Sequence, residues 1–139
     1  MSKLFTGGCA CGAVRYSVAG EPSRMNDCQC RHCQQRSGAG HGSYLAFIDA
    51  EVELTGQART WEITGDGGTR KAHAFCPECG APVYLGVVGA PGVFIVHAGS
   101  LDEPGRYRPD AILYASRGHA WDVMDPALTR FETMPPAGG

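Results

Sequence analysis

Long apolar runs are missing from this 139-residue chain, and nothing in it approaches the roughly 20 residues that a membrane-spanning helix needs. Charge is scarce as well. Charged residues make up 19%, and 12 Lys plus Arg against 14 Asp plus Glu leave a net charge of −2. Without a basic excess there is no electrostatic footprint for nucleic acid or for an anionic membrane surface. The opening MSKLFTGGCACG holds one lysine, no apolar core and no small-residue cleavage site. No export signal is therefore read there, and the expected location is the cytoplasm. Long helices are a third absence: 20 Gly and 9 Pro are spread along the chain. The longest stretch free of both, residues 23–37, shows no sustained 3.6-residue apolar stripe. With 43% hydrophobic residues the chain can still bury a core, and its length suits one domain, 1–139.

What remains reads as strand. Val14, Tyr16 and Val18 alternate with Arg15 and Ser17, Val52 and Leu54 with Glu51 and Glu53, and Trp61 and Ile63 flank Glu62. Each run predicts a half-buried strand, with Trp61 in the core. GDGG at 65–68 predicts a hairpin turn, because Asp-Gly and Gly-Gly supply positive φ at little cost. Residues 83–88 and 93–98 predict a second hairpin across GAPG, and 112–115 a further short strand. Asp125-Pro126-Ala127 has the form of a helix start, with Asp as N-cap and Pro in the first turn, and PPAGG reads as a frayed end. The predicted class is mainly β.

The seven cysteines carry the chemistry. They are odd in number and too few for a disulfide scaffold. All fall into three clusters: Cys9-x-Cys11, Cys28-x-Cys30-x2-Cys33 and Cys76-x2-Cys79. Tetrahedral zinc with thiolate ligands needs sulfurs roughly 3.8 Å apart, so the ligands must arrive in preorganised pairs. Residues i and i+2 of a strand face one side, which lets Cys9 and Cys11 converge. In FCPECG, Pro77 sets the turn and Gly80 can take the left-handed conformation after the second ligand. A closed structural site takes four thiolates and leaves three, and three protein ligands with one open position is the catalytic pattern. Spacing permits two partitions. Cys30, Cys33, Cys76 and Cys79 can close one site, leaving Cys9, Cys11 and Cys28; or Cys9, Cys11, Cys76 and Cys79 can close it, leaving Cys28, Cys30 and Cys33. The second is preferred, because three ligands within six residues make a compact site open on one side.

In order, GGCACGAVRY, CQCRHCQQRSG, FCPECGAPVY, VHAGSLD and a Ser-Arg element before Trp121 resemble the glutathione-dependent formaldehyde-activating enzyme family, over about residues 7–131. That family also includes the domain of centromere protein V. SRGHAW departs from it, with His119-Ala120 where the family usually runs through proline into the tryptophan. The resemblance implies a zinc-pinned antiparallel β-tent of two small sheets with short helical turns. It implies up to two Zn²⁺ per chain: a structural zinc on Cys9, Cys11, Cys76 and Cys79, and a second, more labile zinc on Cys28, Cys30 and Cys33. The implied reaction is condensation of glutathione with formaldehyde to S-hydroxymethylglutathione, a carbon–sulfur lyase-type activity.

An open three-thiolate zinc can take a substrate thiol as its fourth ligand near neutral pH. The expected partners are then glutathione or a similar small thiol and a small aldehyde, with no nucleic acid and no membrane. Arg31 and Arg36 flank this site in sequence and are candidates for the carboxylates of glutathione. His32 lies between two ligands and is a candidate proton carrier, and Trp121 a candidate pocket wall. His41 reads as an exposed histidine, and His73 and His97 as hydrogen-bonded structural groups within strands. The competing reading is a non-catalytic zinc module that binds a thiol, metal or protein, favoured by the lack of an assignable general base.

Overall fold

The computed structural model describes residues 4–136; of the predicted frayed end, 137–139 lie outside the described residues. A three-stranded sheet runs in the order β1 (Leu4–Gly8), β2 (Arg15–Ala19), β5 (Glu51–Thr55). An eight-stranded sheet runs β11 (Thr129–Arg130), β10 (Ala111–Leu113), β3 (Arg24–Cys28), β4 (Gly42–Ile48), β9 (Ala90–His97), β8 (Pro82–Val87), β7 (Arg70–Phe75), β6 (Arg59–Thr64). Pairing is antiparallel except where β10 runs parallel to β3 and β11. The class is mainly β, as the alternating patterns predict.

Alternation sets the core. In β2, Tyr16 and Val18 are buried while the residues between them are half-buried. They meet Phe47 and Leu45 of β4 and Val96 of β9 in a core that also contains Phe5, Cys9 and Cys76. The Phe5 and Phe47 rings join the two sheets edge to face at 5.4 Å. A smaller cluster, Cys28, Cys33, Tyr44, Leu85 and Leu113, gathers side chains of the eight-stranded sheet with the start of α1 (Arg31–Ser37).

Both predicted hairpins form. Gly68 takes φ 84° in the turn between β6 and β7, where Gly65 N donates to Thr69 O at 2.9 Å. The second turn is tighter than GAPG implies: β9 already begins at Ala90, after Gly89 at φ 88°.

Four expectations are corrected. The stretch 23–37 does contain a helix, α1, whose seven residues are too few to display a periodic stripe and bury only Cys33 and Gln34. Asp125-Pro126-Ala127 makes one turn, with Asp125 Oδ1 accepting from Ala127 N at 2.9 Å, and β11 follows at once. Trp61 is 56% exposed, because β6 is the last strand of its sheet. Leu54, on the edge strand β5, is exposed for the same reason.

Candidate metal centres and the cleft between them

Cys9, Cys11, Cys76 and Cys79 bring their sulfurs within 4.8 Å of one another, and so do Cys28, Cys30 and Cys33. This is the preferred partition of the seven. Both groups stand at one end of the eight-stranded sheet, at the C-terminal ends of β7 and β3.

The first group is made by two turns. Cys9 and Cys11 do not sit in a strand, as their spacing suggested; β1 ends at Gly8, and Gly12 at φ 84° closes a turn by donating to Cys9 O at 3.3 Å. The opposing turn follows its predicted form, with Gly80 at φ 75° donating to Cys76 O at 2.8 Å. Backbone amides point at the sulfurs: Val14 N is 3.2 Å from Cys9 Sγ and Glu78 N 3.3 Å from Cys76 Sγ. Cys11 Sγ lies 3.7 Å from both Cys9 Sγ and Cys76 Sγ, close to the roughly 3.8 Å edge of a ZnS₄ tetrahedron. Without an ion, burial raises the Cys9 thiol, but the Val14 amide and the neighbouring sulfurs outweigh it and bring it down to about 6. Cys11 goes up to about 12: the Ala13 amide lowers it, but Cys9 and Cys76 together push it the other way. The sulfurs share protons that a divalent cation would displace.

The second group is built where β3 hands over to α1. Cys28 ends the strand, Cys30 is the N-cap and Cys33 lies in the first helical turn. The Cys30 sulfur does the work usually given to a Ser or Asp oxygen, accepting from Cys33 N at 3.4 Å. The Cys30 and Cys33 sulfurs lie 3.2 Å apart and would spread slightly around an ion. Cys28 and Cys33 hold Cys30 down to about 2, while Cys30 and Cys33, helped by burial, push Cys28 up. Three sulfurs fit a thiophilic divalent cation such as zinc and leave its fourth position to another ligand.

The residues predicted around this group divide. Arg36 turns its guanidinium toward the Phe75 ring, 5.8 Å away, and its Nε is buried without a partner. Arg31 is exposed and bonds Gln34 Oε1 at 3.1 Å. His32 is half-buried. Trp121 is 69% exposed and stacks on His119 at 5.1 Å in the C-terminal segment. His41, read as exposed, is half-buried and pairs through Nδ1 with Asp122 at 2.9 Å. His73 and His97 are buried as expected, but His73 Nδ1 and His97 Nε2 have no hydrogen-bond partner. Burial, followed by neighbouring charges including Arg36, lowers both to about 4, so they are neutral at pH 7.

Three residues were missed. Gln34 uses its whole amide: Nε2 donates to Gln29 O and Arg117 O, and Oε1 accepts from Arg31 and from the His119 ring. This pins the C-terminal segment across α1. Asp122, which also accepts from Gln29 Nε2 at 3.1 Å, has no sequence signal, since its histidine partner is 81 positions away. Tyr44 lies beside Cys33 with a buried hydroxyl that has no hydrogen-bond partner of ordinary geometry among the described residues; no strand was read over 42–48, so nothing pointed to it.

A cleft of about 630 Å³ opens at the same end of the sheet. It runs from Cys9 and Pro82 past Ser100 and His97 to Gly42 and Ser37. It is lined by none of the three cysteines of the second group, but Gly42 is the register partner of Cys28. Gly42 thus borders both the cleft and the strand that carries Cys28.

With both cysteine groups in place, the comparison with known proteins is decisive. The model of the family described as glutathione-dependent formaldehyde-activating enzyme matches residues 4–117. The chain belongs to that family. Among solved structures it is similar to a Rhodobacter sphaeroides protein at 22% identity, with a TM-score of 0.52 over 70% of this chain and 87% of that one. That likeness concerns the fold. Membership in the formaldehyde-activating family links the chain to glutathione and formaldehyde chemistry. No helix among the described residues is long and apolar enough to cross a membrane.

Proposed function

We propose that this chain is a zinc-dependent carbon–sulfur lyase-type enzyme that forms or cleaves adducts between glutathione, or a similar small thiol, and a small aldehyde such as formaldehyde. The observation that carries the reading is the three-sulfur group, complete with three ligands and adjoining a cleft. In this reading Cys9, Cys11, Cys76 and Cys79 hold a structural zinc, and Cys28, Cys30 and Cys33 hold a second. Bound there, zinc would supply a position at which a substrate thiol is ionised near neutral pH.

The chain's own residues do the rest. Holding the thiol beside the aldehyde converts a bimolecular encounter into a positioned one. Arg36, buried at Nε and turned toward the sheet, is the better placed of the two arginines to receive a glutathione carboxylate; Arg31 already engages Gln34. His32 stands between two ligands as a proton carrier, and the His119–Trp121 stack forms an outer wall. Seven unpaired cysteines suit a reducing compartment, so the cytoplasm is the proposed place of action.

Native mass spectrometry with and without glutathione counts zinc and bound thiol on the same molecules. The expected result is two zincs and a glutathione adduct that disappears in Cys30→Ser together with aldehyde turnover. One zinc, no adduct and no turnover would instead make the protein a non-catalytic zinc module.

A further inference from the structure

Three tyrosines reach well into the interior, and their hydroxyls differ. Tyr16 Oη meets Ser100 Oγ at 2.7 Å, and Tyr107 Oη donates to Asp27 Oδ1 at 2.6 Å. Tyr44, 8% exposed, has a hydroxyl that is buried and without a partner. Buried phenols ordinarily find one, since an unmet polar group costs about 1–3 kcal/mol. Its surroundings show why the group sits there. Tyr44 belongs to the cluster of Cys28 and Cys33, and its hydroxyl hangs over Gly42, where a Cβ would lie 2.3 Å from it. Gly42 is the register partner of Cys28. The ring is held from the other side by His97, 5.1 Å away, and His97 lines the cleft. The glycine thus leaves room for a hydroxyl group beside the three sulfurs; among the described residues the Cys33 thiol interacts with it, but it makes no hydrogen bond of ordinary geometry.

We propose that Tyr44 is a catalytic residue that donates a hydrogen bond to the aldehyde oxygen as the carbon–sulfur bond forms or breaks at the three-cysteine site. The inference rests on the carbon–sulfur reading above and supplies the electrophile-activating group that the sequence did not show. In the forward direction the glutathione thiol loses its proton to solvent, and a sulfur electron pair forms the bond to the carbonyl carbon. The π pair moves onto oxygen, whose growing negative charge the Tyr44 O–H stabilises. That oxygen then takes a proton from water, giving the S-hydroxymethyl group with no change of oxidation state and Tyr44 unaltered. Cleavage is the reverse: the hydroxyl proton leaves to water, the carbonyl re-forms and the carbon–sulfur pair returns to sulfur.

Zinc-loaded wild-type, Tyr44→Phe and Gly42→Ala chains test this. Tyr44→Phe keeps the ring against His97 and removes only the hydroxyl; Gly42→Ala keeps the hydroxyl and displaces it. The proposal expects two zincs by native mass spectrometry and unchanged glutathione affinity in Tyr44→Phe. It also expects about 10-fold weaker binding of the glutathione–formaldehyde adduct, and kcat lower by about 10²-fold, the usual cost of losing one oxyanion donor. Gly42→Ala should lose activity in the same sense. Wild-type kcat in Tyr44→Phe would overturn the assignment. So would loss of the second zinc and of glutathione binding in that variant, which would make the hydroxyl a support for Cys33. A wild-type chain that neither binds glutathione nor turns over would sink the carbon–sulfur reading itself, before any variant is compared.

Discussion

The two cysteine groups occupy the same end of one sheet and are built on opposite plans. The four-cysteine group is assembled from two turns far apart in sequence, its buried members Cys9 and Cys76 belong to the main core, and backbone amides face its sulfurs. The three-cysteine group comes from a single strand-to-helix junction, and the groups around it leave Tyr44 Oη, His73 Nδ1, His97 Nε2 and Arg36 Nε without partners. One group is locally satisfied; the other is surrounded by groups that need something more. The hydrogen-bond state of their neighbours thus separates the two groups as clearly as ligand number does.

The largest test of this contrast is to break one ligand in each group. On the order of 10 kcal/mol of binding free energy is coupled to folding at a structural zinc, against a domain stability of about 5–15 kcal/mol. Cys76→Ser should therefore unfold or aggregate the chain, whereas Cys33→Ser should remain folded with one zinc fewer. Circular dichroism and metal counting read both, and equal damage would refute the partition.

Acid sharpens the contrast next. His73 and His97 take their protons near pH 4 in the folded chain, against about 6.5 when exposed. Between those values the unfolded chain binds more protons, so stability falls as pH drops from about 6.5 to about 4, by up to about 3 kcal/mol for each histidine. Thermal melts of wild type and His73→Gln across that range, at fixed zinc content, should show a shallower acid limb in the variant; parallel limbs would disprove the assignment.

Gln34→Leu is the mildest change. It leaves the carbonyls of Gln29 and Arg117 without their amide donor and should cost about 1–3 kcal/mol. Hydrogen exchange should increase over residues 117–122 and stay unchanged around Cys76 and Cys79. Loosening at both places would mean that the segment is coupled to the closed site as well.

Strands β2 and β5 to β10, the hairpins and the three local cysteine clusters were legible in the sequence because each depends on neighbours a few positions apart; β1, β3, β4 and β11 were not read. Alternation in β2 and the Gly-rich turns are local facts. α1 was hidden because its cap is a sulfur and its length gives no period. Trp61 and Leu54 were misjudged because alternation shows that a strand has two faces, not whether any layer covers the sheet edge. His73 and His97 were legible as structural groups within strands and illegible as unsatisfied, since satisfaction depends on β4, β7, β9 and α1 meeting in space. The His41–Asp122 pair spans 81 positions and leaves no local trace.

The separation of ligands along the chain also has a kinetic side. Cys11 and Cys76 are 65 residues apart, while Cys30 and Cys33 are three apart. By the relation for covalent cross-links, closing a 65-residue loop removes about 4 kcal/mol of chain entropy from the unfolded ensemble. An ion that keeps hold of both turns during unfolding acts as a removable cross-link, so a chain refolding with zinc starts from a much smaller set of conformations than a chain refolding in chelator. The second site closes almost no loop and offers no such head start. A metal held there would come and go without changing how the polypeptide finds its way home.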